Sequence, residues 1–238
     1  KMISYMTPAF PSSERKEYAW EEKKTEYIRH KDEVRSLASL TATWYSARTP
    51  KGYMHTIQPA IYEMYLAELS MVSEEYIGKA LREKGIPYAD VSAVHTTSLQ
   101  TSGDEAFSVS VHVSHEDFPE AVRTVSAVMG GIDAGMTDIS DLARIRHIYM
   151  DGIRNLAIEP VFSNSESVDS CIKAFLYNGS LATLKTKVDF LDGRHIPDTT
   201  DLRLFNNISS ALLDSDRNLK VAYVSEMAED EVRSIFET

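Results

Sequence analysis

The chain has 238 residues, with 43% apolar and 26% charged side chains, enough to bury a core of one large domain or two small ones. Twenty-five Lys and Arg against 36 Asp and Glu leave a formal charge of -11, which repels phosphate backbones and argues against a nucleic-acid partner. Cys171 stands alone, so neither an internal disulfide nor a cysteine-built zinc site can form.

Residues 1–23 carry Pro8, Pro11, Ser12, Ser13 and a mixed-charge run, and read as a linker or lead-in to a single domain over 24–238. The chain opens Lys1-Met2-Ile3-Ser4-Tyr5 with no apolar stretch behind it, as expected of an excised segment whose export signal, if any, lies elsewhere. No run of apolar residues reaches the length that spans a bilayer. Two segments rich in Thr, Ser, Tyr and Val, 24–30 and 34–46, alternate as strands, and Thr49-Pro50-Lys51-Gly52 breaks the pattern.

A long helix is predicted from about Thr56 to Lys84. Ile57, Ile61, Met64, Tyr65, Leu69, Val72, Tyr76, Ile77 and Leu81 form its apolar stripe, Pro59 falls in the first turn and Gly85 ends it. A strand over 91–101, a turn at Thr101 to Asp104 and a strand over 107–113 make a hairpin through Gly103. Phe107, Val109, Val111 and Val113 share one face of the second strand. Ser114 with Asp117 resembles a capping box for a helix running to about Ala134, in which Gly130-Gly131 suggests close helix packing. Thr137 is the expected cap of the next helix, which carries Ile139, Leu142, Ile145, Ile148, Tyr149 and Ile153. Further helices are expected over 164–177, 181–191 and 199–213, then a strand from Leu219 to Val224 and a helix from Met227 to Phe236. The apolar surroundings of Cys171 predict a buried, inert thiol. The order of elements predicts an α+β class: an antiparallel-rich sheet with helices gathered on one face.

Candidate chemistry is sparse. The histidines are His30, His55, His95, His112, His115, His147 and His195, and none pairs with another at the four-residue spacing that puts two imidazoles on one cation. His112-Val113-Ser114-His115-Glu116 comes nearest, but its first half lies on a strand, where odd spacings face opposite ways, so two solvated rings are expected. There is no Gly-x-Ser-x-Gly elbow, P-loop or Gly-x-Gly-x-x-Gly. Glu74-Glu75, Asp138 with Asp141, and Glu229 to Glu231 read as solvated faces or first-turn charges. No residue is assigned to a catalytic, cofactor-binding or metal site.

Three stretches together resemble the repeating domain of the pitrilysin (insulinase-like) and mitochondrial-processing-peptidase family. They are Ser36 to Lys84 with its Gly85-Ile86-Pro87-Tyr88 junction, Asp104 to Val111 with the following helix and Gly135-Met136-Thr137-Asp138-Ile139, and Ala174 to Gly179 through Asp201 to Asn207 to Val221. The resemblance implies an α+β domain of the LuxS- and mitochondrial-processing-peptidase-like metallohydrolase type, used several times per polypeptide. One copy carries the inverted zinc motif His-x-x-Glu-His and a homologous copy without it helps to enclose the peptide. This chain has no such motif, so the resemblance implies a non-catalytic copy, inactive alone, with zinc in a sister domain of a periplasmic or secreted protease. Some non-catalytic members grip substrate through an Arg and a Tyr after the hairpin, where this chain has His112 and Phe118. The family also includes non-peptidase scaffolds, which keeps a structural or assembly module open as the alternative.

Overall fold

A computed structural model describes residues 22, 24–30, 36–47, 56–97, 104–158, 168, 171–172, 182–214 and 218–237. Five strands, β1 (Glu26–His30), β2 (Ala38–Ala47), β3 (Tyr88–Thr97), β4 (Asp104–Val113) and β5 (Leu219–Val224), form one sheet in the order β1-β5-β2-β4-β3. All neighbours are antiparallel except β1 and β5, which run parallel. The two N-terminal strands therefore do not pair with each other; the C-terminal strand lies between them, a long-range choice invisible to local patterning.

The helices are α1 (Gln58–Glu83), α2 (Phe118–Asp133), α3 (Ile139–Ile158), α4 (Leu184–Leu191), α5 (Thr199–Leu212) and α6 (Glu229–Phe236). The face of the sheet that they cover is carried by Leu40, Ala42 and Trp44 of β2, Phe107, Val109, Val111 and Val113 of β4, and Leu219, Val221 and Tyr223 of β5, all buried. Trp44 and Phe107 meet at 6.3 Å between ring centres, and Phe118 stacks on Tyr223 at 6.0 Å. The opposite face is polar: Thr41 pairs with Ser110, and Thr43 with Ser108, through hydroxyl contacts of 3.0 Å each. The α+β class, with helices on one face, is thus observed.

Helix ends follow local chemistry. α1 stops where Gly85 turns left-handed at φ 71°, with the Ile86 N–H reaching back to the Leu81 carbonyl at 2.9 Å. Gly135, at φ 81°, ends α2 in the same way, the Met136 N–H reaching the Gly131 carbonyl at 3.0 Å. The cap of α3 is Asp138 and not Thr137: its Oδ1 accepts the N–H groups of Ser140 and Asp141 at 2.8 and 2.9 Å. Thr137 is buried instead. Ser114 accepts the Asp117 N–H at 3.0 Å and shapes the turn before α2, without capping the helix itself.

Strand β3 begins at Tyr88, three residues before the predicted start, because its partner β4 extends to Val113 and draws Tyr88 into the ladder across a bulge. Of the turn predicted at Thr101 to Asp104, Asp104 is already the first residue of β4, and the rest of it, with most of the predicted lead-in and 164–177 helix, lies outside the described residues. Val168, Cys171 and Ile172 are helical, and all three are exposed. The apolar neighbours of Cys171 face solvent themselves, which is why its expected burial does not hold.

Candidate functional site

A cleft of about 680 Å³ lies between α2, α6 and the end of β2. Met129, Leu213 and Phe236 give it an apolar lining, with Arg123 and Asp133 also contributing. The Ser126 hydroxyl donates to the Ile235 carbonyl at 3.0 Å and ties α6 to α2 along one side. Trp44 also lines this cleft, and its buried Nε1 has no hydrogen-bond partner among the described residues. The lining contains no nucleophile paired with a base, so its chemistry is that of apolar contact and not of bond cleavage.

A second, polar assembly is centred on a fully buried ion pair. Arg146 of α3 forks onto Glu68 of α1, its Nε at 2.6 Å from Oε1 and its Nη2 at 3.2 Å from Oε2, and both side chains are completely buried. Nη1 lies 3.2 Å from Asp201 Oδ1 and donates to the Arg194 carbonyl at 3.2 Å. The Tyr65 hydroxyl donates to the same Asp201 oxygen at 2.6 Å, and the guanidinium lies over the Tyr65 ring at 5.3 Å. Asp201 Oδ2 in turn accepts the Asp198 N–H at 3.1 Å, closing a capping box at the start of α5.

One buried cation thus serves two carboxyls, and the half-exposed Arg194 adds a looser contact to Asp201, Nη1 to Oδ1 3.7 Å. Burial pushes the Glu68 carboxyl up to about 7, against the pull of Arg146. Burial also acts to raise Asp201, but the Tyr65 hydroxyl, the Asp198 N–H and Arg146 outweigh it and hold that carboxyl below its ordinary value. Burial lifts Tyr65 well above the usual phenol range, helped by its bond to Asp201. With every strong donor engaged and no solvent access to Arg146 or Glu68, the assembly staples α1, α3 and α5 and offers nothing to a substrate.

His95 of β3 and Glu105 of β4 form a third group, Nε2 to Oε2 3.4 Å, at the end of the covered sheet face. The Tyr62 ring meets His95 edge-on at 6.4 Å, and burial followed by the Glu105 charge pushes its hydroxyl up to about 12. Sequence reasoning named His95 only among the scattered histidines and gave Glu105 no role, although His95 is in phase with Ala93, and Glu105 with Phe107, on the inward side of their strands.

The His112/His115 pair is not gathered into a site. His112 stands on the polar face with Nδ1 4.0 Å from Asp90, and His115 is exposed in the following turn. His147 lies 3.3 Å from Asp151 on the surface of α3, and His195 Nδ1 lies 2.6 Å from the Asp192 carbonyl. Among the described residues no three metal-ligating side chains come together. Of the two adjacent glycines, only Gly131 is closely packed: a β-carbon there would sit 2.4 Å from the Met136 sulfur, whereas Gly130 has open space beside it. Glu75 and Asp141 both meet Arg144 at the surface, as expected of solvated charges, but Glu74 turns inward to the sheet.

Solved structures share this sheet and helix arrangement. The periplasmic protease PqqL from Escherichia coli superposes with a TM-score of 0.80 at 9% identity, over 99% of this chain and 26% of that one. A structure described as a predicted insulinase family protease from Yersinia pestis gives 0.72 at 11% identity, over 99% and 50%. The inactive domain of a peptidase M16 from Pseudomonas fluorescens gives 0.58 at 15%, over 87% and 45%. No protein-family model and no curated protein matches the chain. The fold is therefore that of a pitrilysin/insulinase-type (M16-like) domain, and the chain spans about a quarter to a half of the proteins that share it. No described helix is long and apolar enough to cross a membrane.

Proposed function

We propose that the chain is a non-catalytic domain, residues 24–238 preceded by a lead-in, of a larger zinc peptidase. In this reading a homologous domain of the same polypeptide carries the zinc, and this one walls one side of a chamber that encloses peptide substrates. The observation that supports it is the combination of near-complete coverage of this chain by one part of a periplasmic protease with a sequence that lacks His-x-x-Glu-His. Zinc in the sister domain, and a periplasmic or secreted location, follow from the same likeness. The net charge of -11 favours basic or unfolded peptides as cargo.

The test is made on the parent polypeptide. Peptide cleavage that a chelator abolishes, that is lost when the neighbouring zinc motif is mutated, and that survives His112→Ala with His115→Ala supports the assignment. A parent without an inverted zinc motif, or one that cleaves nothing with or without added zinc, selects the alternative of a structural or assembly module. Cleavage by the 238-residue chain alone refutes both.

A further inference from the structure

β3 is an edge of the sheet, so among the described residues one side of its backbone has no strand beside it. Such edges invite pairing with any extended chain, and folded proteins block them with specific devices. In an antiparallel ladder the backbone groups of successive residues point alternately toward the partner strand and away from it. Ala93, opposite Val109, points away: its N–H donates to Glu74 Oε1 of α1 at 2.8 Å. Ser92 and Val94, on either side, therefore direct theirs to β4.

The helix is brought close by the residues around this contact. Four positions on, Gly78 has no side chain to separate α1 from β3; a β-carbon there would lie 2.9 Å from the Tyr88 hydroxyl oxygen. One turn further, Arg82 donates to that same hydroxyl. At the other end of the strand Tyr62 packs edge-on to His95. Ala93 itself is only 4% exposed although it sits on an edge strand.

We infer that Glu74 closes the β3 edge to strand addition by holding the outward N–H in the middle of the strand. An incoming strand offers a neutral amide carbonyl, which must displace a carboxylate already seated on that donor, and charged acceptors bind such donors more strongly than neutral ones. Sheet growth from this side, by an extended peptide or by a second copy of the chain, is shut off. The inference stands on the helix–edge contact alone and survives whether or not the peptidase reading does.

The full chain carrying Glu74→Ala or Glu74→Gln tests this, with amide exchange read at Ala93 and association read by sedimentation over a concentration series. Unfolding in urea corrects exchange for any global loss of stability. Glu74→Ala is expected to speed exchange at Ala93 by about tenfold or more beyond that correction. It should also associate more than wild type as concentration rises, through β3–β3 pairing. Glu74→Gln, which keeps an acceptor oxygen but loses the charge, should fall between wild type and Glu74→Ala in both. A Glu74→Ala chain whose Ala93 amide exchanges at the wild-type rate, or which associates no more than wild type at any concentration, overturns the inference.

Discussion

Replacing Arg146 by Met removes the only cation that contacts both Glu68 and Asp201 among the groups fully buried beneath α1, α3 and α5. The methionine fills most of the aliphatic volume, so the loss is electrostatic. Glu68 loses a two-point hydrogen bond at zero exposure, and Asp201 keeps Tyr65 and the Asp198 N–H. Breaking one partner out of a buried pair costs about 3–5 kcal/mol, and the lower end applies here because Glu68, already raised to about 7, can take up a proton and lose its charge. For a chain of this size, roughly 3 kcal/mol corresponds to a fall in Tm of about 6–12 °C.

The same carboxyl sets the pH dependence. Its folded value lies above the 4.5 of an unperturbed glutamate, so its contribution to stability is complete below about 4.5 and is lost as the pH rises through about 7. Without Arg146 the folded value climbs further, and the Arg146→Met deficit should widen from pH 5.5 to pH 7.5. Adding Glu68→Leu removes the stranded acid and should recover at least half of the loss at pH 7.5, since apolar replacement of a buried pair is often neutral. Thermal and urea unfolding of the single and double variants at both pH values measure this. A single variant within about 1 kcal/mol of wild type, or a double variant no better than the single one, refutes the reasoning.

Gly135→Ala forces an L side chain into φ 81° and should destabilise the chain by about 1–2 kcal/mol in urea, whereas Gly130→Ala, helical with open space beside it, should be neutral or stabilise by up to ~1 kcal/mol. Asp138→Ala should lower Tm by uncapping α3. Hydrogen bonds from Ser140 and the Asp141 N–H hold that carboxyl below 3.8, so its contribution is present above 3.8 and the gap to wild type should vanish as the pH falls through the depressed value. The Cys171 thiol, exposed in the folded chain, should react with a thiol reagent under native conditions nearly as fast as in urea; strong protection would restore the buried reading.

Much of the scaffold was legible from periodicity. The α1 stripe from Met64 to Leu81 is buried largely as its spacing indicates, the Phe107 to Val113 face is the sheet's contribution to the core, and Gly85 ends α1. These features rest on short-range rules: a 3.6-residue turn, a two-residue pleat and a left-handed glycine. The absence of an inverted zinc motif is likewise a property of residue order alone.

The central polar network escaped because its members looked like surface charges. Glu68 falls four residues from Met64 and from Val72, Arg146 four from Leu142 and from Met150, and Asp201 four from Phe205, each on the buried phase of its helix. Helical phase alone placed all three inside, but an isolated ion in a core is so costly that a one-dimensional reading assigns it to solvent. Conversely, Ile148 on the assumed α3 stripe is half exposed, because the packed face turns toward Arg146 and Met150.

Local propensity and pattern therefore determined which segments become strands and helices, where several of them stop, and that no inverted zinc motif is encoded. Only tertiary structure decided that β5 lies between β1 and β2, that Arg146 is set between two distant carboxyls, and that Glu74 meets an edge strand. The physical reason is the same in each case: these choices are made by contacts between residues far apart in the chain, whose free energy exists only once the intervening segments have folded.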